Sequence, residues 1–433
     1  VTEDVLPEPT GIEEPERPGR WSLGRLRSLT VDLTPLREHP EYRRLFFGDV
    51  VSTIGTQMTA IAVPFQVFEL THSSFAVGLA SLASLVPLVV FGLIGGAIAD
   101  AMDRRRLLLV SSSLLACVSF VLFLQAALDV RQVWLLYVLV FCQAGLFAVD
   151  SPARRAVIPR LIPDRQIPAA TALGQVLWNF ATVVGPLLAG VIIGKAGLSW
   201  AYGIDAVSFF AALAAIFSIR SVPPTGGGTR AGLASVVEGL RFLRARPVLM
   251  MAFAVDINAM MFGMPRALFP SLAENRFHGG AGALGMLYAA PALGALVGAL
   301  LGGWFGRVRR QGLAVLVSIV VWGLAIVGFG LSVSIWLAVV MLAIAGGADM
   351  VSAVFRTAIQ QVATPDEMRG RLSGVFIAVV AGGPRLGDFE AGSVAALTSA
   401  PFSVVSGGVL CVLGVLVLGA LVPSFARYEA PES

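Results

Sequence analysis

Residues 78–124 read GLASLASLVPLVVFGLIGGAIADAMDRRRLLLVSSSLLACVSFVLFL: two apolar runs parted by one charged knot, Asp100 to Arg106. Followed to its ends, each run reaches the roughly 20 residues that a helix needs to cross a bilayer. The alternation recurs outward along the chain. Twelve apolar stretches centre near Thr56, Pro87, Val118, Phe141, Ala181, Phe209, Met260, Gly294, Val321, Ala345, Ala381 and Leu413. Of 433 residues, 56% are hydrophobic and 13% charged, against about a quarter charged in soluble domains. Lipid is therefore the main solvent. In hydrocarbon every peptide group must be satisfied within the protein, so the pattern predicts an all-α membrane protein with twelve transmembrane helices.

The basic residues set the expected orientation. With the N-terminus inside, eighteen of them fall in cytoplasmic loops, including Arg104, Arg105, Arg106, Arg154, Arg155, Arg307, Arg356 and Arg369. Three fall outside: Arg131, Lys195 and Arg276. Both termini are expected at the cytoplasmic face. The net charge of +4 lies in short clusters between apolar runs, which is not a nucleic-acid surface. Cys117, Cys142 and Cys411 sit in apolar runs without disulfide or metal spacing, so buried structural thiols are expected. No nucleophile–base pairing is visible, and neither an enzyme, a cofactor nor a metal is expected.

Residues 1–40 read as a cytoplasmic tail, acidic and proline-rich over the first 20 and basic from Trp21 to Arg44. Pro223, Pro224, Gly226, Gly227 and Gly228 mark a linker over 221–246. It divides the spans into bundles at 41–220 and 247–424, with a short tail at 425–433. A repeat relates the halves. At an offset of 207, Asp49 matches Asp256, Gly78 matches Gly285 and Gly96 matches Gly303; at 202, Arg154 matches Arg356 and Asp164 matches Asp366. Two six-helix bundles related by pseudo-symmetry suit a carrier whose halves rock about a central site.

The knot Gly95-Gly96-Ala-Ile-Ala-Asp100-Ala-Met-Asp103-Arg104-Arg105-Arg106 resembles the signature between spans two and three of the major facilitator superfamily, with Ala101 and Asp103 in place of the usual arginine and glycine. The resemblance implies a gate formed by Gly96, Asp100, Arg104 and Arg105. The stretches Ala153-Arg154-Arg155-Ala156, Pro159-Arg160-Leu161 and Thr364 to Arg371 resemble the branch containing the bacterial enterobactin exporter and macrolide-type efflux proteins. Gly185, Pro186 and Gly190 in span five resemble the antiporter signature of drug-exporting members. The span-four arginine common in proton antiporters is missing; Leu139, Val140 and Phe141 occupy that region.

A charge at mid-bilayer costs about 2.5–3.5 kcal/mol on insertion scales, so intramembrane charges are candidate site residues. Arg385, Asp388 and Glu390 cluster in span eleven; Arg385 and Asp388, three apart, share a helix face and are placed to pair. Asp49 and Asp256 are repeat mates near the cytoplasmic ends of spans one and seven, positioned for proton transfer, gating or surface ion pairs. Arg266, after Pro265, is positioned to attract an anion or gate the outer mouth, with Asp205 as its partner or a local cap. Gln57, Trp178 and Asn179 are candidate cavity residues. The methionines of span seven read as lipid-facing packing, and His72 and His278 as solvated loop residues.

These residues, with what the resemblance implies, predict a proton-coupled carrier. It would export small amphipathic molecules, siderophore or drug, by alternating access across a bacterial-type cytoplasmic membrane. Expected partners are the lipid bilayer, a small-molecule substrate and protons, in a monomer without nucleic acid. A nutrient importer and a non-transporting membrane sensor are the alternatives.

Overall fold

The computed structural model describes residues 32–223 and 233–429. The acidic tail, the glycines of the linker and the last four residues lie outside that set, as do the side chains of Gly96, Asp100, Asp366, Arg369 and Arg371. Twelve long helices follow one another: α1 Pro40–Thr71, α2 Ser74–Ala101, α3 Arg104–Ala127, α4 Val133–Leu161, α5 Ile167–Ala196, α6 Leu198–Phe217, α7 Pro247–Phe262, α8 Gly280–Leu300, α9 Gln311–Leu331, α10 Ile335–Ala363, α11 Asp366–Leu397 and α12 Ala400–Leu421. Eleven of these segments, all but α11, are long and apolar enough to cross a membrane, that of α7 continuing to Asn275. The exception carries Arg385, Asp388 and Glu390 inside its span. Among the described residues there is no strand.

The turns are short and chemically specified. Ser73, Asp103 and Ser399 cap α2, α3 and α12 by accepting from the backbone N–H three residues on, which satisfies an otherwise orphaned donor. Gly197, at φ 94°, closes the turn between α5 and α6, a conformation that a side chain would strain. A linker helix, Leu233–Arg244, follows the first bundle; its Leu243 joins Leu249, Phe253, Leu372 and Val375 in a small core against α7 and α11.

Each bundle repeats one packing scheme. α6 lies against α1 and α3, as α12 lies against α7 and α9, and α2 pairs with α4 as α8 pairs with α10. The bundles meet along two seams, α2 with α11 and α5 with α8. Glycine allows both. A methyl group on Gly78 would sit 2.7 Å from the Asp388 carbonyl oxygen, and one on Gly392 2.6 Å from that of Ser74. On the other seam, Gly285 would press the Pro186 carbonyl at 2.6 Å and Gly190 that of Ala281 at 2.7 Å. Such backbone-to-backbone approach substitutes for a hydrophobic drive that lipid cannot supply.

Both seams lie in the halves of the helices away from the termini. Toward the termini, the bundles part. In α5, Thr171, Ala172, Gly174, Gln175, Val176 and Trp178 are exposed, whereas Ala181, Gly185, Pro186, Ala189 and Gly190 are buried. Cys117 and Cys142 are exposed and only Cys411 is buried, correcting the expectation of three buried thiols. An apolar run in a membrane helix covers the outward face as well as the core.

Gly285→Val is expected to cost about 1–3 kcal/mol by overpacking, because the clashing atom is backbone and cannot rotate away. Thermal unfolding of the purified protein in detergent should show a melting point several degrees lower. A value equal to that of the parent would mean that the seam yields freely.

Candidate functional site

Most of the buried charges fall into three groups, Asp205 and Arg104 standing apart. The first joins α1, α3 and α4. Arg154 lies inside α4, not in a loop as the sequence suggested, because that helix continues to Leu161. Its guanidinium pairs with Asp49 of α1 and, at 3.0 Å, with Asp150 one turn earlier; it also donates to Ser112 at 3.2 Å. Asp150 accepts from Ser111 at 2.6 Å and from Ser112 at 3.2 Å. The arginine is thus matched on every side, as burial of a charge requires.

The second group is its repeat mate. Arg356 lies inside α10, again not in a loop, and pairs with Asp256 of α7 and at 3.6 Å with Asp349. The match is looser here. Ser352 occupies the place equivalent to Asp150 and its buried hydroxyl has no hydrogen-bond partner; neither does Oδ1 of Asp349. Asp349 was not singled out from sequence, although an acid in the apolar run around Ala345 was a readable signal.

The third group straddles the α2–α11 seam. Asp388 accepts from the Ser81 hydroxyl at 2.8 Å, and Arg385 donates to the Ser84 hydroxyl at 2.9 Å. Arg385 and Asp388 share one face as expected, yet they do not bond to each other. The facing helix offers two serines at the same three-residue spacing, so each charge finds a partner directly opposite. Glu390 lies about 200° round the helix from Asp388 and has no hydrogen bond or ion pair among those described.

Asp388 has a second task. Pro265 interrupts the seventh span, which resumes as a 3-10 turn, Arg266–Leu268. The freed groups are satisfied from three helices: Trp322 of α9 donates to the Gly263 carbonyl at 2.9 Å, Tyr288 of α8 to the Arg266 carbonyl at 3.3 Å, and the Ala267 N–H donates to Asp388 Oδ1 at 2.9 Å. One carboxylate therefore fastens the seam with one oxygen and caps a broken helix with the other. Arg266 is exposed, and its side chain has no hydrogen bond or ion pair among those described; its charge acts on Asp388, Asp349 and Arg385. Asp205 does not pair with it. It lies fully buried between α1, α3 and α6, bonded to Thr59 and Ser119.

The remaining candidates divide by position. Gly185 packs on Gln57 of α1 while Pro186 and Gly190 face α8, so this stretch of α5 passes from its own bundle to the other. Asn179, half-buried just below, accepts from Gln175 at 3.2 Å. Gly95 lies against α4, whereas Gly92 meets open space. Arg104 donates to the Ala156 carbonyl at 3.3 Å, and Arg105 to the last carbonyls of α6, at 3.3 Å on Ile216 and 2.7 Å on Phe217. These described bonds stitch the first bundle to itself. A cleft of about 240 Å³, lined by Phe253, Thr357, Gln360, Gln361 and Phe376, opens between α7, α10 and α11 on the side of the termini.

Two bundles of membrane helices, closed together at one end, with paired charges buried between and within them, define a multi-pass membrane transporter. The transmembrane secretion effector model matches residues 30–430, and the chain belongs to that family, a branch of the major facilitator superfamily. It is 30% identical over 407 residues to the enterobactin exporter EntS of Citrobacter koseri, covering 94% of this chain and 97% of that one. Against EntS of Shigella boydii it is 30% identical over 397 residues, covering 92% and 95%. The fold is shared with a POT family transporter in complex with 5-aminolevulinic acid, at a TM-score of 0.71 and 13% identity over 89% of this chain and 97% of that one. The nucleoside transporter NupG gives 0.65 and 12% over 90% and 99%.

Removing Arg356 alone leaves Asp256 buried and unpaired, so Arg356→Met is expected to cost about 3–5 kcal/mol. Adding Asp256→Leu should return most of that loss, as a double-mutant cycle on thermal unfolding would show. Additive losses would mean that the two do not interact.

Asp103, outside the spans, gives a pH test. Burial pushes its carboxyl up, but the Ser221 hydroxyl and the backbone N–H groups of Arg106 and Arg105 more than offset this, holding it below the ordinary value. Its contribution is therefore complete above about pH 4 and lost as pH falls through the lowered folded value. Asp103→Ala should cost about 1 kcal/mol as a lost helix cap at neutral pH. Its melting curve should converge with that of the parent in acid.

Proposed function

We propose that the protein is a proton-coupled exporter of small amphipathic molecules, siderophore or drug, working by alternating access across a cytoplasmic membrane with both termini inside. The observation that carries this reading is the double engagement of Asp388. Its bond to Ser81 holds the bundles closed on the far side, and its bond to Ala267 holds the break in the seventh span. A proton on this carboxylate removes the charge from both bonds at once, and hydrogen bonds to charged groups contribute about 1.5–3 kcal/mol each. The seam then loosens while the helix break is freed to adjust. The exposed guanidinium of Arg266, without a hydrogen bond or ion pair among those described, supplies a counter-charge for an anionic or catecholate-like group.

Further support comes from the parting of the bundles toward the termini, which leaves the inner half of α5, with Asn179 and Trp178, open to a solute. Asp49 and Asp256, locked to Arg154 and Arg356, brace the inner ends of α1 and α7; with Gly96, Asp100, Arg104 and Arg105 they belong to the gate on that side. The flexible stretch Gly185-Pro186 and Gly190 lets α5 pivot on α8. Glu390 has no hydrogen bond or ion pair among those described and is available to a second proton. The full-length likeness to enterobactin exporters favours a siderophore over other cargo.

The test is flux in proteoliposomes of known orientation under an imposed pH gradient, with a catecholate siderophore and several cationic drugs. Gradient-driven movement from the side of the termini is expected. Asp388→Asn should lower it about tenfold or more, a factor equal to about 1.4 kcal/mol, the lower end of a lost charged bond. Uptake in the opposite direction, or flux unchanged by Asp388→Asn, would overturn the export or the coupling part respectively.

A further inference from the structure

Asp205 takes no part in the seams or in the two arginine clusters, yet it is an acid with no exposed surface inside a membrane bundle. It sits on α6 where that helix packs on α1 and α3. Its Oδ2 accepts from the hydroxyls of Thr59 and Ser119, both at 2.7 Å. Its Oδ1 has no hydrogen-bond partner. Thr56, one turn before Thr59, also faces it, and Gly55 makes the room: a methyl there would lie 2.8 Å from Oδ1.

Among the described residues no cation pairs with this acid. On α1 the charged residues nearest in sequence are Asp49 and Glu69, each ten residues from Thr59, or about 15 Å along a helix. On α3 the nearest is Arg106, thirteen residues from Ser119, about 20 Å away. α5, which also touches α6, carries only Lys195 near its far end, and α6 has no other charged residue. A buried carboxylate without a cation is costly, whereas hydroxyls, which both donate and accept, fit the charged and the neutral form alike.

Between this acid and the end of the bundle away from the termini lies a second polar group, not bonded to Asp205 among the described hydrogen bonds. Tyr202, also without exposed surface and one turn before Asp205, donates to Gln66 at 2.8 Å. Gln66 and Gln125 exchange hydrogen bonds at 3.0 and 2.9 Å. Glu69, exposed one turn beyond Gln66, acts together with Asp205 on the Tyr202 phenol. Apolar residues would pack such a core more cheaply, and buried polar groups in a membrane mark ion or proton pathways.

We propose that Asp205 is a proton-binding site inside the N-terminal bundle, loaded from the face opposite the termini through Tyr202, Gln66 and Gln125. The inference deepens the proton-coupling part of the proposed function and rests on that reading for its purpose. Its test reads the proton directly and needs no transport.

The probe is the infrared carbonyl stretch of a protonated carboxyl, followed against pH on the full chain in lipid. A band that fades as pH rises, shifts in heavy water and is lost in Asp205→Asn, but retained in Asp388→Asn, is expected. Asparagine keeps the shape and accepts from the same hydroxyls, so the variant should fold. Tyr202→Phe and Gln66→Leu should keep the band and slow its exchange with heavy water several-fold. Absence of any band dependent on Asp205, or a band that neither titrates nor exchanges, would overturn the proposal. So would a band displaced by sodium at constant pH, which would make the site one for a metal cation. Flux that fails while this band titrates would sink the transport reading and leave the proton site standing.

Discussion

Inside a bilayer there is no water to take up an unpaired charge or a freed peptide group, and that constraint orders the whole molecule. It is why Arg154 gathers Asp49, Asp150 and Ser112 from three helices. It is also why the interruption at Pro265 draws side chains from α8, α9 and α11. A kink in a soluble helix would hydrate. Here each loose end must be tied to a neighbour, so a local irregularity becomes a tertiary contact. The functional geometry follows: the residue that ties the break, Asp388, is the one that also reaches across to the other bundle.

The two seams show what duplication supplied and what it did not. Gly78 against Asp388 and Gly392 against Ser74 close one, Gly285 meets Gly190 on the other, and the four glycines are repeat mates at offsets of 207 and 202. Packing is thus symmetric. Chemistry is not. The α2–α11 seam carries Ser81, Ser84, Arg385 and Asp388, while on α8 Tyr288 stands at the place of Ser81 and bonds to Arg266 of its own bundle, and on α5 Pro186 stands at that of Asp388. The arginine clusters differ in the same way, tightly matched in the first bundle and looser in the second, where the acid has moved from the place of Asp150 to Asp349.

Much of this was legible in the sequence. Hydropathy gave the helices, because a span is long and uniform enough to read without neighbours. The repeat gave Asp49 with Asp256 and Arg154 with Arg356 as matched positions. What it did not give was that these are partners across helices, since charge counting assigned both arginines to loops. A helix that overruns the apolar run by about three turns, as α4 does from Asp150 to Leu161, carries Arg154 in among carboxylates. The pairing of Arg385 with Asp388 was misread for a related reason. Spacing along one helix shows what is adjacent, but the facing helix decides what bonds. Asp205 was read as a partner of Arg266 or a local cap because nothing in one sequence says which bundle face a residue takes. The glycine matches Gly190 and Gly392 were present in the same repeat and unremarked.

The unequal seams have a further consequence. Alignment of the halves depends on small residues that tolerate no side chain, and those lie on both lines. The charged groups that bond across the interface to hydroxyls, Asp388 to Ser81 and Arg385 to Ser84, lie on one. Substitution along that single row of side chains would alter the polar chemistry of the interface while the other keeps the halves in register. The duplicated scaffold thus presents one interface that carries charge and one that serves as a plain bearing.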